Sequence, residues 1–142
     1  MNYTENYERW LHEPKLDTDS RRELEAIAGD HDEIEMRFLG NLEFGTGGLR
    51  GTMGAGLNKM NVYTVAQATQ GMAEMIALEG ADAMRRGVVI AYDSRNNSAL
   101  FSETAAAVLS ANGIAVYIFD GVRPTPELSF AIRHLGCIAG IN

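Results

Sequence analysis

Gly87–Tyr92, GVVIAY, is short, rich in β-branched residues and apolar at both parities. A strand facing water on one side alternates in polarity, whereas one that is apolar throughout is buried on both faces, as in a parallel sheet covered by helices. The flanking segments agree. Downstream, Asp93–Asn97 is a polar loop, and Asn97 or Ser98 is placed to cap a helix whose face carries Phe101, Ala105 and Val108 and which stops at Ala111-Asn112-Gly113. Ile114–Phe119 is a second apolar strand, followed by the loop Asp120–Thr125. Thr125 as N-cap with Pro126 at the first helical position opens another helix bearing Leu128, Ala131, Ile132 and Leu135. Gly136 closes it, and Cys137–Ile141 is a third strand. Upstream, Asn61 caps a helix with Val62, Val65, Ala66, Met72, Ala73 and Ile76 on the helical period, ending near Gly80. Arg85 and Arg86 then read as a wet surface pair.

Strands alternating with helices through short connections imply right-handed crossovers and an α/β fold. The expected architecture is a three-layer α/β/α sandwich with a mostly parallel mixed sheet of about four strands, preceded by a helical N-terminal arm. The arm is assigned to residues 1–40 and the sandwich to 41–142. In the arm, residues 3–12 form a short amphipathic helix ended by Pro14, and 17–19 form a turn. Ser20 and Glu23 read as a capping box for a helix with Leu24, Ile27 and Ala28 on one face. Residues 30–39 form a short helix with carboxylates at its start; Asp30, His31, Asp32 and Glu33 resemble metal ligands only superficially, because consecutive residues do not face one another on a helix.

In doubly wound sheets ligands gather beyond the carboxyl ends of the strands. Asp93–Asn97 and Asp120–Thr125 occupy that position, and Asn142 is where the third strand should deliver its own loop. The expectation is that the chain is a piece of a longer one. Its 142 residues suffice for one core, with 46% hydrophobic and 22% charged residues. The net charge of −7 argues against a general nucleic-acid binder. The lone Cys137 excludes an intrachain disulfide and a cysteine-rich metal site. Neither a signal peptide nor a membrane span is legible, so no membrane partner and a cytoplasmic location are expected.

The stretch Asn41–Gly51, NLEFGTGGLRG, packs four glycines, Thr46 and Arg50 into eleven residues. Such glycines permit close backbone approach, and Arg50 offers fixed donors to an anion. Neither GxGxxG nor GxxxxGK[ST] matches it, which sets aside a dinucleotide or P-loop site. His12, His31 and His134 lack ligand neighbours at metal spacing, and Ser94 lacks a histidine placed to activate it. Arg50 and Arg95 remain: they form a phosphate subsite if their loops converge, and ordinary salt bridges if they do not.

FGTGGLRG at 44–51, AYDSR at 91–95, RPTPELSFA at 123–131 and GCIAGIN at 136–142, in this order and spacing, resemble the first domain of the α-D-phosphohexomutases. The closest branch is the phosphoglucomutase/phosphomannomutase group that includes phosphopentomutase-like members. The resemblance implies a four-domain, Mg²⁺-requiring enzyme that interconverts hexose 1-phosphate and 6-phosphate through a phosphoserine and a bisphosphorylated sugar. It implies that Arg50 lines the phosphoserine and substrate cleft, with Thr46, Gly47 and Gly48 in the same loop, and that Arg95 supports the active-site loop. Gly48 departs from the more polar residue of some relatives, which leaves substrate preference open. It also implies that the nucleophilic serine, in a TASHNP-type motif, directly follows Asn142, while the metal loop and the sugar grips lie in domains II–IV. The chain alone is then expected to be inactive, without an Mg²⁺ site, and prone to self-association through the faces those domains would cover. The alternatives are a stand-alone phosphate or sugar-phosphate binding module without catalysis, and an interaction domain whose arginines are only surface charges.

Overall fold

The computed structural model describes residues 2–142, in the order α1 (Tyr3–Leu11), α2 (Thr18–Ala26), α3 (His31–Phe38), β1 (Phe44–Gly45), β2 (Gly48–Leu49), α4 (Val62–Leu78), α5 (Ala81–Arg86), β3 (Val88–Ile90), α6 (Ser98–Ala111), β4 (Val116–Ile118), α7 (Thr125–Leu135) and β5 (Ala139–Ile141). Contacts divide the chain into two compact units, one up to Thr64 and one from Val65 onward. None of the described helices is long and apolar enough to cross a membrane.

In the C-terminal unit the strands are ordered β4-β3-β5, all parallel, with Val88 opposite Val116 and Ala139, and Ile90 opposite Ile118 and Ile141. The two parities of β3 feed two separate cores. Val88 and Ile90 pack with Ala73 and Ile76 of α4 and Ala105 and Leu109 of α6. Val89 and the following Ala91 pack with Leu128 and Ala131 of α7 and with Cys137. Helices therefore cover both faces, and the three-layer α/β/α sandwich expected from GVVIAY is what forms. Among the described residues the parallel sheet has three strands, and antiparallel pairing is confined to the separate hairpin β1–β2.

Short-range details differ from the sequence reading. Helix α5 was not anticipated, and Gly87 closes it in a left-handed conformation, φ 71°. A Cβ there would run into the Ala115 carbonyl, which accepts the Val88 N–H at 2.9 Å. Arg85 does form an exposed pair with Asp82, at 2.9 Å. Arg86 instead donates from Nε to the Gly136 carbonyl at 2.8 Å, tying α5 to the end of α7. Helix α7 begins one residue earlier than expected: extended Pro124 is its N-cap residue, and the Thr125 hydroxyl accepts from the Asn142 amide at 3.0 Å.

In the N-terminal unit, Tyr7, Leu16, Leu24, Ile34, Phe38 and Ala55 form the core, with Trp10 and Tyr63 packed against it. The Trp10 ring meets Phe38 and Tyr63 edge-on, at 5.7 and 5.4 Å between centroids. The expected Ser20/Glu23 capping box is absent. Asp17 caps α2 by accepting the Ser20 N–H at 2.8 Å, and Tyr63 holds its other oxygen at 2.9 Å. Glu23 is thereby released for a tertiary role: with Glu33 of α3 it brackets Arg37, whose side chain is only 11% exposed. Arg37 also donates to the Ala55 carbonyl, and Glu23 accepts the Ala55 N–H, both at 3.1 Å.

Candidate functional site

The two groups of candidate residues belong to different units. The glycine-rich stretch folds as a hairpin, Phe44 opposite Leu49 and Gly45 opposite Gly48, with Thr46 and Gly47 as its turn. Gly48 takes φ 108°, a value that a side chain would strain. Arg50 follows at once, and its guanidinium lies over the turn: a Cβ on Gly47 would collide with Nη2. Thr46, Gly47 and Arg50 are exposed and Gly48 is half-buried. Among the described residues Arg50 has no ion-pair partner. It borders an open depression of about 790 Å³ shared with Asp32, Glu35, Glu43 and Asn58.

The hairpin is braced from behind. Leu42 N–H bonds to the Leu57 carbonyl at 2.8 Å, which attaches its base to the loop 52–60. That loop is closed by Asn61. The Asn61 amide nitrogen donates to the carbonyls of Gly54, Gly56 and Lys59, at 2.8, 3.0 and 3.3 Å. Its oxygen accepts the N–H groups of Tyr63 and Thr64, at 3.0 and 2.9 Å, which is the cap expected for α4. One buried side chain thus starts a helix and fixes the loop on which the hairpin rests.

In the other unit, three segments leave the same end of the sheet. Ala91 N–H bonds to the Ile141 carbonyl at 2.9 Å, Phe119 N–H to Ile90 at 3.1 Å and Arg123 N–H to Tyr92 at 3.0 Å. These bonds set Asp93–Asn97, Asp120–Thr125 and Asn142 side by side. Arg95 stands in the first loop with its side chain 78% exposed, and its Nε donates to Asp93 Oδ2 at 2.7 Å. Asp93 Oδ1 accepts the Arg95 backbone N–H at 3.0 Å and the Ser98 hydroxyl at 2.8 Å. Neither Asn97 nor Ser98 caps α6 through its side chain as expected: Asn97 sits in the left-handed region, φ 63°, and the Ser98 hydroxyl is turned to Asp93. The hydrogen bond from the Arg95 backbone, then those from Ser98 and the Arg95 side chain, hold the Asp93 carboxyl below its ordinary value. The Arg123 guanidinium is engaged on its own helix side, by Asp120 at 2.9 Å and Glu127 at 3.2 Å, over the Phe119 ring.

Asp93 was passed over at the sequence level, although its short spacing to Arg95 and Ser98 was visible. Asp30 caps α3 and Glu33 pairs with Arg37, so that acidic run is used structurally. Among the described residues no group of three or more His, Cys, Asp and Glu side chains is arranged to hold a metal ion.

Residues 41–142 match the family model described as phosphoglucomutase/phosphomannomutase, alpha/beta/alpha domain I. The chain belongs to this family. The family's alpha/beta/alpha domain I thus includes both the hairpin and the strand-end loops. Among family relatives, a Mus musculus phosphopentomutase is 37% identical over 144 residues, covering 97% of this chain and 23% of the relative. A Staphylococcus saprophyticus phosphoglucomutase is 44% identical over 110 residues, covering 78% and 19% respectively. A Mus musculus glucose 1,6-bisphosphate synthase is 36% identical over 141 residues, covering 94% and 22%. The chain therefore spans about a fifth of the length of these phosphomutase-family enzymes, whose names divide between pentose and glucose. No solved structure was found to match.

Proposed function

We propose that this chain is the first domain of an intramolecular phosphotransferase, residues 1–40 its helical arm and 41–142 its domain I. The complete enzyme would move a phosphoryl group between two positions of a sugar monophosphate through a phosphoserine and a bisphosphorylated sugar. The family match over 41–142 carries this reading. In-line phosphoryl transfer needs fixed donors for the charge on the equatorial oxygens. Arg50, exposed on a turn of Thr46, Gly47 and Gly48, is one such donor; Arg95, beside the exit of β5, is another. The nucleophilic serine is assigned to the segment after Asn142, and Mg²⁺ ligation and sugar selection to further domains, so the 142-residue chain alone has no mutase activity. Hexose and pentose phosphates both remain within the substrate class, as the relatives' names divide between them.

Two measurements test this. The coding sequence downstream of Asn142 is expected to continue into a Thr-Ala-Ser-His-Asn-Pro-type stretch; a stop codon there, with sugar phosphate still bound by the chain, would favour a binding module. The purified chain, freed of host enzymes, is expected to leave glucose 1-phosphate and ribose 1-phosphate unconverted; turnover of either refutes the assignment of the nucleophile.

A further inference from the structure

We propose that Asp93 is the positioning residue of Arg95, taking the Nε side of its guanidinium so that the paired terminal nitrogens are offered to a phosphate beyond the ends of β3 and β5. The proposal rests on the reading above, in which Arg95 faces the reacting phosphate. A guanidinium binds oxyanions bidentately along one of two edges, and the outer edge is made by Nη1 and Nη2. Asp93 Oδ2 occupies Nε at 2.7 Å, and among the described residues neither terminal nitrogen makes a hydrogen bond.

An exposed ion pair between two free side chains orders little. This one differs because the carboxylate is itself fixed. Its Oδ1 is held by the Arg95 backbone N–H and by the hydroxyl of Ser98, the first residue of α6. The left-handed turn at Asn97 places Ser98 within reach, and the loop springs from β3, the central strand. Ile141 of β5 is hydrogen-bonded to Ala91 at the same end of the sheet, so the Arg95 loop stands beside the segment that carries the chain past Asn142. A long side chain that is 78% exposed would otherwise sample many rotamers; anchoring it in advance removes that cost from phosphate binding.

Asp93→Asn separates positioning from folding. The amide keeps an oxygen for the Arg95 N–H and Ser98, but the group facing Nε becomes a donor. The experiment follows Nε–H and backbone N–H signals of the isotope-labelled 142-residue chain by NMR while inorganic phosphate is added. In Asp93→Asn, exchange of the Arg95 Nε–H with water is expected to rise by about tenfold while the Arg95 and Ser98 amide signals stay in place. Phosphate affinity is expected to weaken by roughly threefold, even though a negative charge has been removed. Ser98→Ala, which loosens the carboxylate without changing the charge, is expected to move both readouts the same way to a smaller extent. Equal or tighter phosphate binding in Asp93→Asn, with wild-type Arg95 responding to phosphate, overturns the positioning role and leaves Arg95 itself standing. An Arg95 that ignores phosphate in the wild-type chain overturns both.

Discussion

Replacing Asn61 by alanine tests how the hairpin is supported. Asn61 is 9% exposed, and its amide serves two purposes. Loss of the cap on α4 costs about 1 kcal/mol. Of the three carbonyls it serves, Lys59 keeps a partner in the Thr64 hydroxyl at 2.9 Å, so the count falls on Gly54 and Gly56. Each loses a hydrogen bond contributing about 1 kcal/mol, so the whole substitution should cost roughly 3 kcal/mol. That is a large share of a total stability of about 5–15 kcal/mol. Trp10 is the only tryptophan, and it packs against Phe38 and Tyr63 in the unit that contains Asn61, so its fluorescence reports the right transition. With a urea dependence of about 1.5 kcal/mol/M the midpoint should fall by about 2 M. Asn61→Ser retains an acceptor for the cap and should recover about 1 kcal/mol of the loss. Asn61→Asp also keeps the cap but turns an oxygen toward the two carbonyls, and should be no more stable than the alanine variant. If Asn61→Ala costs under about 1 kcal/mol, or Asn61→Asp matches wild type, the carbonyl bonds are not what closes the loop.

Three further expectations concern the sheet. Gly87→Ala combines left-handed φ with a collision against the Ala115 carbonyl and should cost about 2–4 kcal/mol in thermal or urea unfolding; a loss below about 1 kcal/mol means that the α5–β3 junction yields freely. The Asp93 carboxyl should titrate below 3.8 by side-chain carbon NMR, and Ser98→Ala should move it up. Because the folded value is depressed, the loop's stabilisation is present above 3.8 and is lost as pH falls through the folded value; a midpoint at or above 3.8 contradicts the hydrogen bonding described. Burial pushes the Cys137 thiol above 9.0 while Arg86 opposes the shift, so alkylation at pH 8 should be at least about tenfold slower in the native chain than in urea. Arg86→Ala should slow it further, and equal native and denatured rates would contradict the burial.

What could be read from sequence was set by the range of the interactions. Two-sided burial of β3 is written in six consecutive residues, and the helices beside it carry enough turns for their period to show. The hairpin strands are two residues each and α5 only six, too short for any periodicity. Glu23 illustrates tertiary override: locally it fits a capping box, yet its carboxylate goes to Arg37, 14 positions away, and to Ala55. Asp93 lies two and five positions from its partners, but its role depends on Asn97 adopting a left-handed turn that no pattern announces. Arg50 and Arg95, the proposed phosphate donors, were visible because glycine and loop residues isolate them.

The double-sided core of β3 also bears on how this family diversifies. Val88, Val89, Ile90 and Ala91 are each almost wholly enclosed, alternately in one core or the other, so a change at any of them disturbs packing before it can alter chemistry. Such a strand leaves no position free of packing constraints. At the strand ends, sequence can vary without disturbing either core in the segments that begin at Asp93 and Asp120, whose residues are largely exposed. Exchanging those loops between relatives, with the sheet left untouched, is the graft this architecture invites.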